Sequence, residues 1–283
     1  MILTGLIGWP VAHSKSPAMH NAAFEATGLD GRYVLLPVPP KQIAEAVAGL
    51  RALGFRGANV TVPHKQAVIP FLDDLTPEAR AIGAVNTIIV QDNGRLLGTN
   101  TDAAGFLRDL QKLDVLNSAK PPQNALVLGA GGSARAVAYA LASQNMATQV
   151  LARRPQQAAE LVASLMPYLP ATARVSAHAW SEIYQLAAQA QLIVNCTPVG
   201  MHPHTEAMPW PQDLPFRSHH VIYDLVYNPR PTVLITQARA AGAKAYHGLG
   251  MLVQQGALAW ELWTGRPAPV ATMQAAVSVK RQT

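Results

Sequence analysis

Cysteine is nearly missing from this chain: Cys196 is the only one in 283 residues. An internal disulfide and a thiolate metal cluster are therefore excluded, and a reducing, cytoplasmic setting is expected. Charge is sparse as well, with 13% Asp, Glu, Lys and Arg. The 22 Lys and Arg outnumber the 16 Asp and Glu, but they stand singly or in pairs. No basic stripe forms, so a nucleic-acid partner is not expected. The formal charge of +6 reads as solubility with a leaning toward anionic small molecules. No apolar run approaches the ~20 residues that cross a bilayer, and residues 1–9 carry no basic leader. A soluble protein without a membrane partner follows. His202-x-His204 and His219-His220 lack a third ligand nearby in sequence, so no metal is expected.

What the chain does have is apolar material, 49% of it, enough to fill one large core or two ordinary ones. Residues 2–8 read as a buried strand, and Ser16 with Pro17 as the cap and first position of a helix reaching about Thr27. A strand at 33–38, a helix at 40–53 and a strand carrying Asn59 and Thr61 continue the alternation, which implies parallel strands covered by helices. Short helices at 66–72 and 77–82 precede a hairpin that opens at Asn86 and turns at Asp92-Asn93-Gly94. A helix over 103–113 leads to the linker Asn117-Ser118-Ala119-Lys120-Pro121-Pro122. Beyond it come a strand at 125–128, an Ala-rich helix to Ser143, a strand at 148–152 and a helix at 155–167. Strands at 191–197, 221–226 and 243–246, a helix after Pro231 and two closing helices complete the chain.

Chemistry concentrates at strand ends, where α/β sheets hold their ligands. Val60 and Val62 alternate with Asn59 and Thr61, which places two hydrogen-bonding groups on one face. Pro63 stops that strand, and Lys65 sits just past it. The hairpin's returning arm reaches Asn100 and Asp102, so a lone Lys and a lone Asp close two apolar runs, as an acid–base pair would. Further on, Gly129-Ala130-Gly131-Gly132-Ser133-Ala134 joins a strand to a helix, with small residues where a pyrophosphate must approach backbone N–H groups. The following strand ends in Arg153-Arg154 and not in the acid that would bind the ribose hydroxyls of NAD. Two guanidinium groups suit a 2′-phosphate, so NADP is the expected cofactor. Ser14 and Ser16, at a helix N-terminus, can receive a carboxylate.

These pieces together resemble the shikimate dehydrogenase family over nearly the whole chain. The resemblance is carried by His13-Ser14-Lys15-Ser16-Pro17, by Asn59 to Lys65, by Gly83-Ala84-Val85-Asn86-Thr87, by Asn100-Thr101-Asp102 and by the glycine turn. Further matching strings run from Asn195 to Met201, from Tyr223 to Pro229 and from Gly248 to Gln255. It implies an α/β protein of two domains, a substrate domain over 1–102 with a mainly parallel sheet and a Rossmann-type NADP domain over 103–247. The C-terminal helices, 248–283, would return to the substrate domain. Two such domains facing a cleft would hinge.

By the same resemblance Ser14 and Ser16 would hold the substrate carboxylate, and Asn59, Thr61, Asn86, Asp102 and Gln255 its hydroxyls or carbonyl. Lys65 and Asp102 would be the catalytic pair, and Tyr227 would lie near the substrate. Gly129, Ala130, Gly131, Gly132, Ser133 and Ala134 would hold the pyrophosphate, Arg153 and Arg154 the 2′-phosphate. Thr197, Leu225, Gly248 and Met251 would line the nicotinamide site. The implied reaction is reversible reduction of 3-dehydroshikimate to shikimate in aromatic amino acid (chorismate) biosynthesis. Two rivals remain on the same scaffold: a quinate/shikimate dehydrogenase with relaxed substrate or cofactor use, and a non-catalytic metabolite sensor. The sequence leaves a homodimer open.

Overall fold

The structure, a computed structural model, describes residues 1–278. It divides into two compact units, Met1–Gly105 with the segment from Leu252 onward, and Phe106–Met251.

The first unit is built on β1 (Ile2–Gly8), β2 (Gly31–Pro37), β3 (Phe55–Val60), β4 (Asp74–Leu75), β5 (Thr87–Val90) and β6 (Leu96–Thr99). Their order across the sheet is β2-β1-β3-β5-β6-β4. Strands β1, β2 and β3 run parallel, β5 pairs antiparallel with both β3 and β6, and β4 lies parallel to β6. Ile7, Ala58, Val60 and Ile88 pack beneath the helix Ile43–Ala52 through its Ile43, Val47 and Leu50, all buried. Each such aliphatic side chain contributes roughly 1.5–3 kcal/mol when fully buried.

The second unit holds β7 (Asn124–Leu128), β8 (Ala147–Ala152), β9 (Val175–Ala179), β10 (Leu192–Asn195), β11 (Val221–Asp224) and β12 (Lys244–His247), in the order β12-β11-β10-β7-β8-β9. Every pairing is parallel. An all-parallel sheet is covered on both faces, which is why Ala125–Leu128 and Leu192–Val194 read as unbroken apolar runs and are wholly buried. The chain winds outward through β8 and β9, then returns to lay β10 on the other side of β7. That reversal is where sheets of this kind bind ligands.

Several sequence expectations change here. Ser16 does not cap its helix. It is the first residue of the helix Ser16–Thr27, whose N-cap position is Lys15 with no side-chain cap, and the Ser14 hydroxyl accepts the Ser16 N–H at 3.2 Å. The helix expected over 66–72 is instead a short helix His64–Ala67 followed by a 3-10 turn, Ile69–Phe71, with Pro70 denying the helix an N–H there. The helix expected from Pro40 begins with a 3-10 turn, Pro40–Gln42. Between 168 and 190, where the pattern gave no element, the chain forms β9 and the helix Ile183–Gln189. The strand β9 is a half-buried edge without the apolar run that would have marked it.

Candidate functional site

Lys65 lies on the short helix after β3, and Asp102 opens the helix Asp102–Lys112 after β6. The strand β3 ends at Val60, short of the stop at Pro63 read from the sequence, and the Lys65 carbonyl accepts the Val85 N–H at 2.7 Å, which fixes the turn. On the other side the Asn100 side chain accepts the N–H groups of Asp102 at 3.0 Å and Ala103 at 3.4 Å, as a capping residue does. Asp102 is thereby held in the first turn of a helix, where backbone dipoles favour an anion. Its Oδ2 receives the Lys65 Nζ at 2.6 Å, with the two side chains 6% and 12% exposed. An ion pair this deep costs desolvation energy and stands only with further partners. Asn86 supplies one: its Nδ2 donates to the other carboxylate oxygen, Oδ1, at 2.8 Å.

Around this pair the sheet assembles a buried polar layer. Asn86 Nδ2 also faces Gln255 Oε1 at 3.2 Å, while Asn86 Oδ1 accepts the Thr101 N–H at 2.7 Å. Asn59 donates to the Asn86 carbonyl at 3.2 Å and to Thr87 Oγ1 at 3.0 Å. Asn59, Lys65, Asn86, Asp102 and Gln255 are thus joined through hydrogen bonds, although Asn86 and Gln255 are 169 residues apart in sequence. Ser14 and Ser16 form a second group, their hydroxyls 3.2 Å apart at the start of a 12-residue helix. Thr61 follows β3, its N–H bonded to the Ile7 carbonyl at 2.8 Å.

In the second unit the parallel register aligns Leu151, Leu128, Asn195, Asp224 and His247 across the sheet. The residues that come next are Arg153 and Arg154 beyond β8, Gly129 after β7, Thr197 after β10, Leu225 after β11 and Gly248 after β12. One edge of one sheet therefore carries nearly the whole expected cofactor set. Gly129 has φ +112°, a region closed to side chains, and a Cβ there would lie 3.2 Å from Thr197 Cγ2. Gly131 is the N-cap of the helix Gly132–Ser143 and brings no side chain to its N–H groups; a Cβ added to it would meet open space. Bare N–H groups, an open approach and two exposed arginines fit a dinucleotide with an extra phosphate. Ala134 is buried against the sheet, Ala130 and Ser133 stay half-exposed in the turn, and Thr197 Oγ1 donates to Asn195 Oδ1 at 2.7 Å. Met251 is buried near the start of the helix Leu249–Thr264, and a Cβ on Gly248 would stand 2.5 Å from the Leu225 carbonyl. Tyr227 lies three residues past β11 and is not part of this aligned edge.

Sequence reasoning passed over Thr87, Thr101 and Tyr33. Both threonines stood inside strings already marked, Asn86-Thr87 and Asn100-Thr101-Asp102, and the pairing of Thr87 with Asn59 across β5 and β3 was the missing signal.

Comparison with known proteins settles the lineage. Residues 6–88 match the shikimate dehydrogenase substrate binding domain, and 248–277 match the shikimate 5'-dehydrogenase C-terminal domain. The shikimate dehydrogenase (NADP(+)) of Symbiobacterium thermophilum is 48% identical over 276 residues, 97% of this chain and 92% of that protein. The chain belongs to the shikimate dehydrogenase family. Among solved members, the shikimate 5-dehydrogenase of Thermus thermophilus, in complex with NADP(H) and shikimate, is 40% identical with a TM-score of 0.85, covering 98% of this chain and 99% of that one. A quinate dehydrogenase from Corynebacterium glutamicum, in complex with NAD, has a TM-score of 0.88 at 33% identity, covering 98% and 99%. Among the described residues no group of three or more His, Cys, Asp or Glu is placed to hold a metal ion, and no helix is long and apolar enough to cross a membrane.

Proposed function

We propose that this chain catalyses the NADP-dependent, reversible reduction of 3-dehydroshikimate to shikimate, a step of chorismate and aromatic amino acid biosynthesis. The observation that carries the reading is the buried Lys65–Asp102 pair, oriented by Asn86. NADPH, when bound, supplies the hydride that the ketone carbon accepts. As charge grows on the ketone oxygen, Lys65 donates a proton to it, and in the reverse direction Lys65 takes the hydroxyl proton. Asp102 holds the ammonium and shares the hydroxyl. Ser14 and Ser16 meet the substrate carboxylate, with the polar layer of Thr61, Asn59, Asn86 and Gln255 beside its ring hydroxyls or carbonyl and Tyr227 near the substrate. The second unit holds the coenzyme, with pyrophosphate at Gly129 to Ala134, 2′-phosphate at Arg153 and Arg154, and nicotinamide beside Thr197, Leu225, Gly248 and Met251. The protein works in the cytoplasm on a small anionic substrate, and as a homodimer if it self-associates.

The test is reduction of NADP by shikimate, by quinate and again with NAD, using purified protein. Shikimate with NADP is expected to give the highest kcat/KM. A preference for quinate or NAD would favour the second reading, a quinate/shikimate dehydrogenase, which the likeness to the Corynebacterium enzyme keeps in view. Absence of turnover with every pair would leave the metabolite sensor.

A further inference from the structure

The catalytic carboxylate is tied to a tyrosine far from it in the sheet. Tyr33 stands on β2, 2% exposed, and its hydroxyl donates to Asn59 Oδ1 at 2.8 Å. The strand β1 lies between β2 and β3, so a side chain shorter than tyrosine would not span the gap. Asn59 Nδ2 donates to Thr87 Oγ1 at 3.0 Å, and Thr87 donates to Asn86 Oδ1 at 3.1 Å. Asn86 Nδ2 donates to Asp102 Oδ1 at 2.8 Å, leaving Oδ2 for Lys65. Thr87 is wholly buried, and Asn59, Asn86 and Asp102 are each 4% exposed or less. The donors all point one way along this line. Each amide can present its oxygen in one direction only, because its nitrogen already has acceptors: Asn59 Nδ2 serves both the Asn86 carbonyl and Thr87.

We infer that Tyr33 and Thr87 are positioning residues for the reaction: the hydrogen-bonded line Tyr33–Asn59–Thr87–Asn86 holds the Asp102 carboxylate with one oxygen turned to Lys65. A buried polar line of this kind is fixed when every member is matched and loosens when one is removed. Tyr33 itself is held by packing: the His20 ring stacks on it at 4.3 Å between centroids with 4° between planes, and Trp263 lies 6.2 Å away. Replacing its hydroxyl by hydrogen therefore leaves the ring in place and removes the bond to Asn59. The inference rests on the dehydrogenase reading above.

The experiment compares kcat and KM for shikimate with NADP, and melting temperature, in the wild type, Tyr33→Phe, Thr87→Val, Thr87→Ser and the double variant Tyr33→Phe/Thr87→Val. Expected are a fall in kcat of about tenfold for Tyr33→Phe and for Thr87→Val with KM within about twofold, recovery in Thr87→Ser, which keeps the hydroxyl, and a double variant no worse than Thr87→Val alone, since both act on one line. A merely structural role would lower the melting temperature with kcat unmoved and would add in the double variant. Wild-type turnover with kcat of Tyr33→Phe within twofold, or additive losses, overturns the inference alone. No turnover by the wild type overturns the dehydrogenase reading and this inference with it.

Discussion

Each unit buries carboxylates, and they are treated in opposite ways. Asp102, 4% exposed, meets the cation of Lys65 and an amide at its two oxygens. Asp224, wholly buried at the end of β11, meets only neutral donors: Asn195 Nδ2 at 2.8 Å, Thr232 Oγ1 at 2.7 Å and the Val226 N–H at 3.0 Å. Asp109, 3% exposed, takes the Tyr223 hydroxyl at 2.6 Å, with Lys112 and His247 near enough to act on its charge. Burial pushes the carboxyls of Asp224 and Asp109 above the usual carboxylate range, with their hydrogen bonds, and for Asp109 also Lys112 and His247, pulling partly the other way. Asp224 clasps the ends of β10 and β11 to the helix that Thr232 caps, which is a structural task. On the proposed function Asp102, facing the Lys65 amine, takes part in the chemistry, whereas Asp224, among fixed neutral donors, joins elements.

The contrast breaks most sharply at Lys65. Lys65→Met is expected to lower kcat by roughly 10²- to 10⁴-fold, the span of a lost general acid, while far-UV circular dichroism stays that of the wild type. Steady-state assays of shikimate oxidation with NADP read it. Loss of fold with kcat per folded molecule preserved would make the pair structural, and Asp102 would join the class of Asp224. The reciprocal change, Asp224→Asn, puts an NH₂ group where donors already converge and is expected to cost about 1–3 kcal/mol of stability. Thermal melting measures it, with kcat at saturating substrate staying within a few fold; a collapse of kcat in a folded variant would erase the difference between the two carboxylates.

A weaker effect belongs to the exposed cations of the second unit. Arg153→Ala with Arg154→Ala is expected to raise KM for NADP by about tenfold, the worth of roughly one charge-assisted bond, and to leave KM for NAD nearly unchanged. Equal changes for both coenzymes would remove the 2′-phosphate from their role.

What was legible in the sequence follows the range of each contact. The turn from Gly129 to Ala134 could be read because strand, glycines and helix are neighbours along the chain, and so could the place of Lys65 just past the strand, although β3 ends at Val60 and not at Pro63. The line from Tyr33 to Asp102 could not be read. Tyr33 and Asn59 are 26 residues apart and meet across β1, and only the pairing of β3 with β5 puts Thr87 opposite Asn59. Ser16 is not a cap because Lys15 is helical already at φ −89° and ψ −5°, which makes Ser16 the first residue of the helix, a backbone choice with no mark in the sequence. The edge strand β9 escaped because half-burial leaves no apolar period to see.

The smallest expected effect sharpens the comparison by adding a buried titratable group with no hydrogen-bond partner. Both ring nitrogens of His20 are buried without one, between Tyr33 and the indoles of Trp260 and Trp263. Burial drives its pKa down from 6.5 to about 3. A group lowered in the folded state binds its proton more readily when unfolded, so the stability it allows is full above pH 6.5 and is lost as the pH falls toward 3. Between neutral pH and pH 5.5 the loss amounts to about 1.4 kcal/mol, the equivalent of one pKa unit. His20→Leu, similar in volume and unable to charge, is expected to lose less than the wild type over the same interval, and the difference between the two cancels every other titrating group. Urea midpoints at pH 7.5 and 5.5 measure it. Equal losses in both proteins would mean that His20 is wetted or bonded in solution, and its ring could then no longer serve as the dry support on which Tyr33 rests.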